Sequence, residues 1–316
     1  MPRTLYGYLW RLTRRHQIVL SVISVVVFLT SMAPLELQRR IVNDVIGDRD
    51  ARTLGLLCAA YAGVALAMGA IKLGLNVYRG YVGETATLDL RRQVHARMAA
   101  PPTAGVQGPE CAETTGAEIA MVIAEVEPVG GFVGISISEP LLQGGILVTV
   151  FGYMVYLQPW MALTSILLFT PQLVFVPLMQ REINRRAARR IRVVREVSGH
   201  LVEEARHESN DDGRGRFLRR IAEVFAINMQ IFRWKFSMNF LMNGTYHIGV
   251  MAILLVGGGL VIEGRTEIGT VVAFISGLAQ LNDPWGDLVN YFRESTTAQV
   301  KYRLIADAVD RAPDGD

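Results

Sequence analysis

The sequence predicts an all-α integral membrane protein with six transmembrane helices and long cytoplasmic helical extensions. Three observations lead to this prediction. The chain of 316 residues is 51% hydrophobic and only 19% charged, which is typical of a multi-span protein. The 41 residues from Pro140 to Gln180 contain no Asp, Glu, Lys, Arg or His. At roughly 1.5 Å per helical residue, this uncharged segment is long enough for about two bilayer crossings. The next segment, Arg181 to Lys235, carries 14 Arg and Lys, as cytoplasmic flanks do.

Hydropathy divides the chain into an interfacial helix, six spans and a tail. Residues 1–16 place Leu5 and Leu9 on one helical face and are expected to form an interfacial elbow helix. The six-helix domain covers residues 17–310, and residues 311–316 form the tail. The predicted spans are 17–37, 54–82, 129–157, 160–182, 236–262 and 268–290. Glu139-Pro140 interrupts the third span, and Gln158-Pro159 turns the chain into the fourth.

The loops predict that both termini are cytoplasmic. The two long loops, 83–128 and 181–235, lie on the same side as the basic termini, and the second loop is rich in arginine. The first outer loop disagrees, because it would place several arginines outside; they are Arg39, Arg40, Arg49 and Arg52. Helix-forming composition in the long loops predicts that spans 2 to 5 continue as stalks with breaker-rich tips. The basic residues are nearly all arginine, which suggests a GC-rich bacterium and hence a bacterial inner (plasma) membrane.

The segment Ala252–Asp310 contains the most specific motifs. Gly257-Gly258 ends an apolar run, Gly264 lies in a short polar turn, Gly269 precedes Ala273-Phe274, and Asp283-Pro284 leads into an amphipathic exit helix. In this order the motifs resemble the transmembrane domain of ABC exporters of the six-helix, type I class. The resemblance covers almost the whole chain. It implies a permease subunit that forms a substrate pathway with a second copy or a similar chain, powered by ATP hydrolysis.

The sequence also predicts that this chain is not itself an ATPase. In the family an ATPase domain usually follows, whereas this chain ends at Asp316. A P-loop needs a lysine after a glycine, and the three lysines follow Ile71, Trp234 and Val300. We therefore expect no cofactor or metal in this chain, and ATP with Mg²⁺ on a separate ATP-binding subunit. That subunit would dock at the stalk tips, although the second tip is more polar than in the family. The docking candidates are Thr103, Gly105, Gln107, Glu204, His207, Glu208 and Asn210.

Three polar stripes inside the spans are candidates for the substrate pathway. Polar groups in a span face other helices or an aqueous cavity. The candidates are Lys72, Asn76 and Arg79 in span 2, Asn239, Asn243 and His247 in span 5, and Asp283 and Asp287 in span 6. The span 2 stripe either pairs with Glu139 or Asp287 or selects an anionic substrate. The span 5 stripe either packs against helices or lines a cavity. Asp283 belongs to the motif that carries the family resemblance, which favours a structural role for it.

Other features predict the partners. The arginines of 181–195 are expected to contact anionic lipid headgroups rather than nucleic acid. The glycines Gly257–Gly259 lie in a span, so they predict close helix packing rather than a phosphate loop. The transported substrate has no signature in the sequence. Two alternatives remain open: a non-transporting regulatory or immunity membrane protein derived from such a domain, and an ion-gradient-driven transporter that uses Asp283, Asp287 or His247 as a proton carrier.

Overall fold

The computed structural model describes residues 4–45, 51–98, 125–204 and 211–311, and these ranges contain helices and no strand. The π-helical turn Ile41–Val45 follows the second helix. The helices are α1 (Leu5–Thr30), α2 (Ala33–Arg40), α3 (Ala51–Met98), α4 (described over 125–135), α5 (Ser138–Leu157), α6 (Pro159–Glu204), α7 (Asp211–Ile262) and α8 (Ile268–Arg311).

Five helical segments are long and apolar enough to cross a membrane, so the chain is a multi-pass membrane protein. In the described ranges they are Leu5–Asn43, Ala51–Ala96, Ser138–Leu157, Pro159–Val194 and Phe217–Ile262. Helix α8, predicted as the sixth span, is not among them. Its apolar first half contains Gln280, Asn282 and Asp283, which lower its hydropathy. The sixth span therefore remains a prediction.

Helix boundaries follow the local breakers. Thr4 caps α1, because its Oγ1 accepts a hydrogen bond from the Gly7 amide at 3.2 Å. The helix then continues without a break through residues 16 and 17, so the structure has one helix where the sequence predicted an elbow followed by a span. Span 3 is interrupted as predicted, but the turn lies at 136–137, and Glu139-Pro140 lies in the first turn of α5. The predicted turn at Gln158-Pro159 is also confirmed, because α5 ends at Leu157 and α6 begins at Pro159.

The helices that contain predicted spans 2, 4 and 5 are much longer than a bilayer is thick. Helices α3, α6 and α7 contain 48, 46 and 52 residues, or about 70–78 Å at 1.5 Å per residue. A bilayer core of roughly 30 Å covers less than half of that length. The helices that contain predicted spans 2, 4 and 5 are therefore longer than those spans, whereas the extension of span 3 stays a prediction. The location of these extensions in the cytoplasm stays a prediction.

The chain divides into two units. Unit 1 comprises residues Met1–Leu157 and Glu267–Asp316, and unit 2 comprises Gln158–Thr266. In unit 1, α1 packs against α3 and α5, and α5 packs against α8. Leu20, Phe274 and Leu281 are fully buried in its core. In unit 2, α6 and α7 pack against each other along their length.

The first turns of α1 pack against protein within unit 1. Leu5 and Leu9, which the sequence placed on one helical face, are both buried together with Tyr8. The Tyr8 hydroxyl donates a hydrogen bond to Asp89 Oδ2 of α3 at 2.7 Å, and its ring lies 5.7 Å from the ring of Tyr302 in α8. This apolar face is therefore covered by α3 and α8, which anchors the start of α1 to the bundle.

Candidate functional site

A network of polar side chains joins three helices of unit 1. Arg79 of α3 forms an ion pair with Glu139 of α5, with Nη1 2.5 Å from Oε2, and its Nε donates to Ser138 Oγ at 2.9 Å. The Gln143 amide Nε2 donates to Glu139 Oε1 at 2.8 Å and to Asp287 Oδ2 of α8 at 3.0 Å. The network therefore fixes the relative positions of α3, α5 and α8.

The network extends from the interior of unit 1 to its surface. The side chains of Arg79 and Glu139 are 8% and 15% exposed, and Gln143 is buried, whereas Asp287 is exposed. Of the two acidic partners considered for the span 2 stripe, Glu139 forms the ion pair, and it does so with Arg79. Asp287, the other predicted partner, hydrogen-bonds to Gln143 rather than to the arginine. Such a chain of hydrogen-bonding groups, with two carboxylates and one guanidinium, can bind polar ligand groups or hold a proton.

A cavity of about 270 Å³ lies between α3 and α4 beside this network. Asn76 and Arg79 line it, whereas Lys72, the third member of the predicted stripe, is half-buried on α3 outside the lining. Arg79 Nη2 is buried and has no hydrogen-bond partner among the described residues. Arg79 therefore takes part in both the ion pair and the cavity.

Close helix crossing forms one side of this cavity. A Cβ atom added at Gly134 of α4 would overlap the Arg79 carbonyl oxygen, and one added at Gly130 would lie 2.8 Å from the Thr87 amide nitrogen. Real Cβ atoms essentially never approach other atoms so closely, so only glycine permits α4 to lie against α3 here. These two glycines were not among the residues expected to pack closely. Their spacing of four residues is the signal that could have identified them.

The predicted stripe in α7 lies in unit 2. Asn239, Asn243 and His247 are all exposed in the single chain. The His247 ring makes an edge contact with Tyr246 at 5.2 Å between centroids. None of the three forms a hydrogen bond or ion pair to another described residue. Asp283 of the α8 stripe is also exposed, and within unit 1 Asp287 is the member of that stripe that joins the Arg79 network.

Most docking candidates fall outside the described ranges. Thr103, Gly105 and Gln107 lie in the gap before residue 125, and His207, Glu208 and Asn210 lie in the gap before residue 211. Glu204 is the last residue of α6. The docking site therefore stays a prediction. Within the described ranges, no group of three or more His, Cys, Asp or Glu side chains could hold a metal ion.

Sequence reasoning missed a second polar network in unit 1. Glu36 of α2 accepts hydrogen bonds from Arg39 Nε at 2.9 Å, from Arg40 Nε at 2.7 Å and from the Tyr153 hydroxyl of α5 at 2.6 Å. Arg39 also lies 3.3 Å from Glu267, just before α8. The spacing of Glu36 to the arginines, at i+3 and i+4, is the local signal that could have identified it.

Asn43 extends the second network to α8. Its side-chain amide donates to Glu267, and its Oδ1 accepts a hydrogen bond from the Gly269 amide at 2.6 Å. A Cβ at Gly269 would overlap the Arg39 carbonyl oxygen. Residues of the π-helical turn and the first turn of α8 are therefore in direct contact.

Several arginines of the segment 181–195 pair within unit 2. Arg189 of α6 lies 2.9 Å from Glu223 of α7, and Arg186 lies over the Trp234 ring at 5.1 Å. Arg220 of α7 also lies 2.9 Å from Glu223. These residues precede the predicted span 236–262. These contacts hold α6 to α7. The sequence predicted only that the arginines of this segment contact anionic lipid headgroups.

Comparison with known proteins identifies the family. The family model for the ABC transporter transmembrane region matches residues 18–205, more than half of the chain. The matched range runs from the middle of α1 through α6 and includes both helices that form the Arg79–Glu139 pair. It stops before the segment Ala252–Asp310, on which the resemblance chiefly rested. A comparison with curated proteins found no match. This chain therefore belongs to the family of the ABC transporter transmembrane region.

Proposed function

We propose that this chain is the membrane-spanning permease subunit of an ABC-type exporter. In this proposal it forms, with a second copy or a similar chain, a substrate pathway powered by ATP hydrolysis on a separate subunit. The observation that carries the proposal is the network from buried Arg79 to exposed Asp287 in a membrane domain of a transporter family. Burying ionisable groups among apolar helices is costly, and membrane proteins retain them at substrate or ion pathways.

The exposed stripe of α7 supports the participation of a second chain. Asn239, Asn243 and His247 lie on one face of the predicted span 236–262, yet all three are exposed in the single chain. Polar side chains in a span face protein or water rather than lipid. A second copy, or a similar chain, would supply that surface.

The separate ATP-binding subunit is supported by the family and by the lysines. Proteins with this transmembrane region typically associate with an ATP-binding subunit. No lysine of this chain follows a glycine, so none of its segments has the P-loop pattern. We place ATP and Mg²⁺ on that subunit, which docks at the two stalk tips. Both termini and both tips then lie in the cytoplasm of a bacterial cell, with the spans in the inner membrane.

Affinity purification tests this proposal. The tagged full chain is purified from native membranes in mild detergent, and an ATP-binding protein is expected to copurify with it. The complex in liposomes should hydrolyse ATP, and Glu208→Ala at the predicted tip should uncouple ATPase stimulation from transport. A matched variant at an exposed position of the outer turn, Glu263→Ala, should leave both unchanged. A dimer of this chain that transports without any ATPase would overturn the proposal.

Ion-gradient-driven transport is a second candidate, and one observation favours it. Gln143 Nε2 donates to two carboxylates at once, Glu139 and Asp287, at 2.8 and 3.0 Å. Two carboxylates that share one donor near a single arginine can hold a proton between them. Transport that follows a pH gradient in the absence of ATP and is abolished by Asp287→Asn would support this candidate. Transport that requires ATP and ignores the pH gradient would exclude it.

A further inference from the structure

A second cavity, of about 450 Å³, lies on the exposed face of α7. The residues that line it are Met229, Phe232, Arg233, Phe236, Ser237 and Phe240. Its volume is within the range of about 300–1,000 Å³ found for small-molecule sites. The cavity lies in unit 2 and crosses the start of the predicted span 236–262, because half of its residues precede that span and half belong to it.

Three phenyl rings form the apolar part of this cavity. Phe232 and Phe236 stack with 6.0 Å between their ring centroids, and Phe240 lies about one helical turn beyond Phe236. All three side chains are accessible, from 47% exposed at Phe232 to 76% at Phe240. Aromatic rings pair favourably in offset-stacked and edge-to-face arrangements. The lining therefore favours a ligand with a flat aromatic body.

The guanidinium of Arg233 gives the cavity its charge. Arg233 and the nearby Lys235 are exposed, and neither forms an ion pair or a hydrogen bond with another described side chain. The carboxylates whose side chains the structure describes in α6 and α7 each pair with a different arginine, as Glu223 does with Arg189. The cavity therefore carries positive charge that no described carboxylate compensates, and it attracts an anionic group.

The same face of α7 continues into the predicted span with polar side chains. Residues on this face recur at intervals of three and four positions; they are Met229, Arg233, Phe236, Phe240, Asn243 and His247. Polar side chains in a span face protein or water rather than lipid. The cavity therefore opens toward the same space as Asn243 and His247, two candidates for the substrate pathway.

Repulsion between like charges disfavours a second copy as the direct occupant of the cavity. Residues 181–235 carry 14 Arg and Lys against eight Asp and Glu. Direct contact between this segment and its equivalent in a second copy would bring like charges together. An anionic ligand between the two copies would offset that repulsion.

We propose that this cavity binds an aromatic organic anion, a molecule with a flat aromatic body and one carboxylate, and that such anions are the substrate class of the exporter. The carboxylate pairs with Arg233 at the edge of the span, and the aromatic body packs against Phe232, Phe236 and Phe240. The substrate role rests on the proposed function, whereas binding itself requires neither ATP nor transport.

Binding of 1-pyrenebutyrate to the full chain tests the proposal. The protein, together with any subunit that copurifies, is placed in phosphatidylcholine nanodiscs, and equilibrium dialysis measures binding above that of empty nanodiscs. 1-Pyrenebutyrate is expected to bind once per chain and at least tenfold more tightly than 1-pyrenebutanol, which has the same ring system without the charge. Dioctanoylphosphatidylglycerol, an anionic lipid, is added as a competitor and should displace the probe only weakly.

Variants separate the charge of the cavity from its apolar part. Arg233→Gln should reduce the preference for 1-pyrenebutyrate over 1-pyrenebutanol to less than threefold. The double variant Phe232→Ala, Phe236→Ala should weaken the binding of both probes at least tenfold. Arg219→Gln and Phe225→Ala are the matched controls, because both residues are exposed on the same helix and lie outside the cavity lining. Both controls should bind like the wild type.

Three results would overturn the proposed site. They are equal affinity for the two pyrene probes, a wild-type preference in Arg233→Gln, and complete displacement of the probe by an equal concentration of the lipid. The thermal unfolding midpoint of every variant is measured alongside. If the double phenylalanine variant does not fold, the exposed Arg233→Gln variant still decides the outcome.

A transport assay in vesicles distinguishes failure of the site from failure of the proposed function. If 1-pyrenebutyrate binds as expected but ATP does not drive its export, the exporter function and the substrate role fail while the binding site stands. If ATP drives its export equally well in Arg233→Gln and the wild type, the proposed function stands and the site fails.

Discussion

Replacing Glu139 with leucine should strongly destabilise unit 1. The two side chains of the Arg79–Glu139 pair are only 8% and 15% exposed, so solvent screens their interaction weakly. Removing one partner of a buried pair costs about 3–5 kcal/mol, because the other charge stays buried and uncompensated. Two unit charges 4 Å apart at an effective dielectric constant of 20 interact by about 4 kcal/mol, which agrees with that range. At 2–4 °C per kcal/mol the unfolding midpoint should fall by roughly 6–20 °C.

The double variant Arg79→Leu, Glu139→Leu separates charge burial from packing. It leaves no uncompensated charge, and replacing a buried ion pair by apolar side chains is often neutral. It should therefore be more stable than either single variant by about 2 kcal/mol or more. Thermal unfolding of the purified chain in detergent, followed by tryptophan fluorescence, measures all three variants.

An exposed ion pair provides the control for this cycle. Glu263 and Arg265 lie 3.2 Å apart, with side chains 60% and 57% exposed. Glu263→Leu should change stability by less than about 1 kcal/mol. The reasoning is wrong if Glu139→Leu costs no more than this control, or if the double variant loses the sum of the two single losses.

Three further predictions concern other contacts of the chain. Gly134→Ala should destabilise the chain by about 1–3 kcal/mol, because the added Cβ would overlap a carbonyl oxygen of α3. Gly131→Ala should leave the stability unchanged, since its Cβ would meet no atom within 4 Å. Thermal unfolding of the two variants measures this difference. Asn43→Ala should cost about 1–2 kcal/mol in the same assay, since it removes the hydrogen bond to the first turn of α8. In a cysteine-free background, Asn243→Cys should cross-link two copies in membranes, whereas Leu241→Cys, exposed two residues away on the opposite side of α7, should not.

Helix positions could be predicted because their signals are local. Proline and its neighbours disfavour helical backbone, and the break at Gln158-Pro159 falls at the predicted residues. Gly264 was expected in the turn between the last two spans, and it adopts a positive φ of 67°, a conformation that favours glycine. The continuous α1 differs from the prediction, because no residue between Leu5 and Thr30 breaks a helix.

Tertiary contacts were harder to predict, because composition does not show which helix face meets a neighbour. The sequence contains glycine clusters in several spans, and we expected close packing at Gly257–Gly259. A Cβ atom added at Gly258 or Gly259 would meet no atom within 4 Å in this chain, whereas Gly130 and Gly134 permit a close crossing. Likewise, the cost of burying Arg79 predicted an acidic partner, but only the arrangement of α3 and α5 selects Glu139 over Asp287.

The two polar networks of unit 1 lie near opposite ends of α5. Glu139 belongs to one network and Tyr153 to the other, and they are 14 residues apart in sequence, or about 21 Å along the helix. Between them α5 contributes buried apolar residues, including Ile146 and Val150. Since the two networks share no residue, either can break while the other stays intact. If the proposed permease opens one membrane face at a time, this independence lets one network break at each step while the other holds.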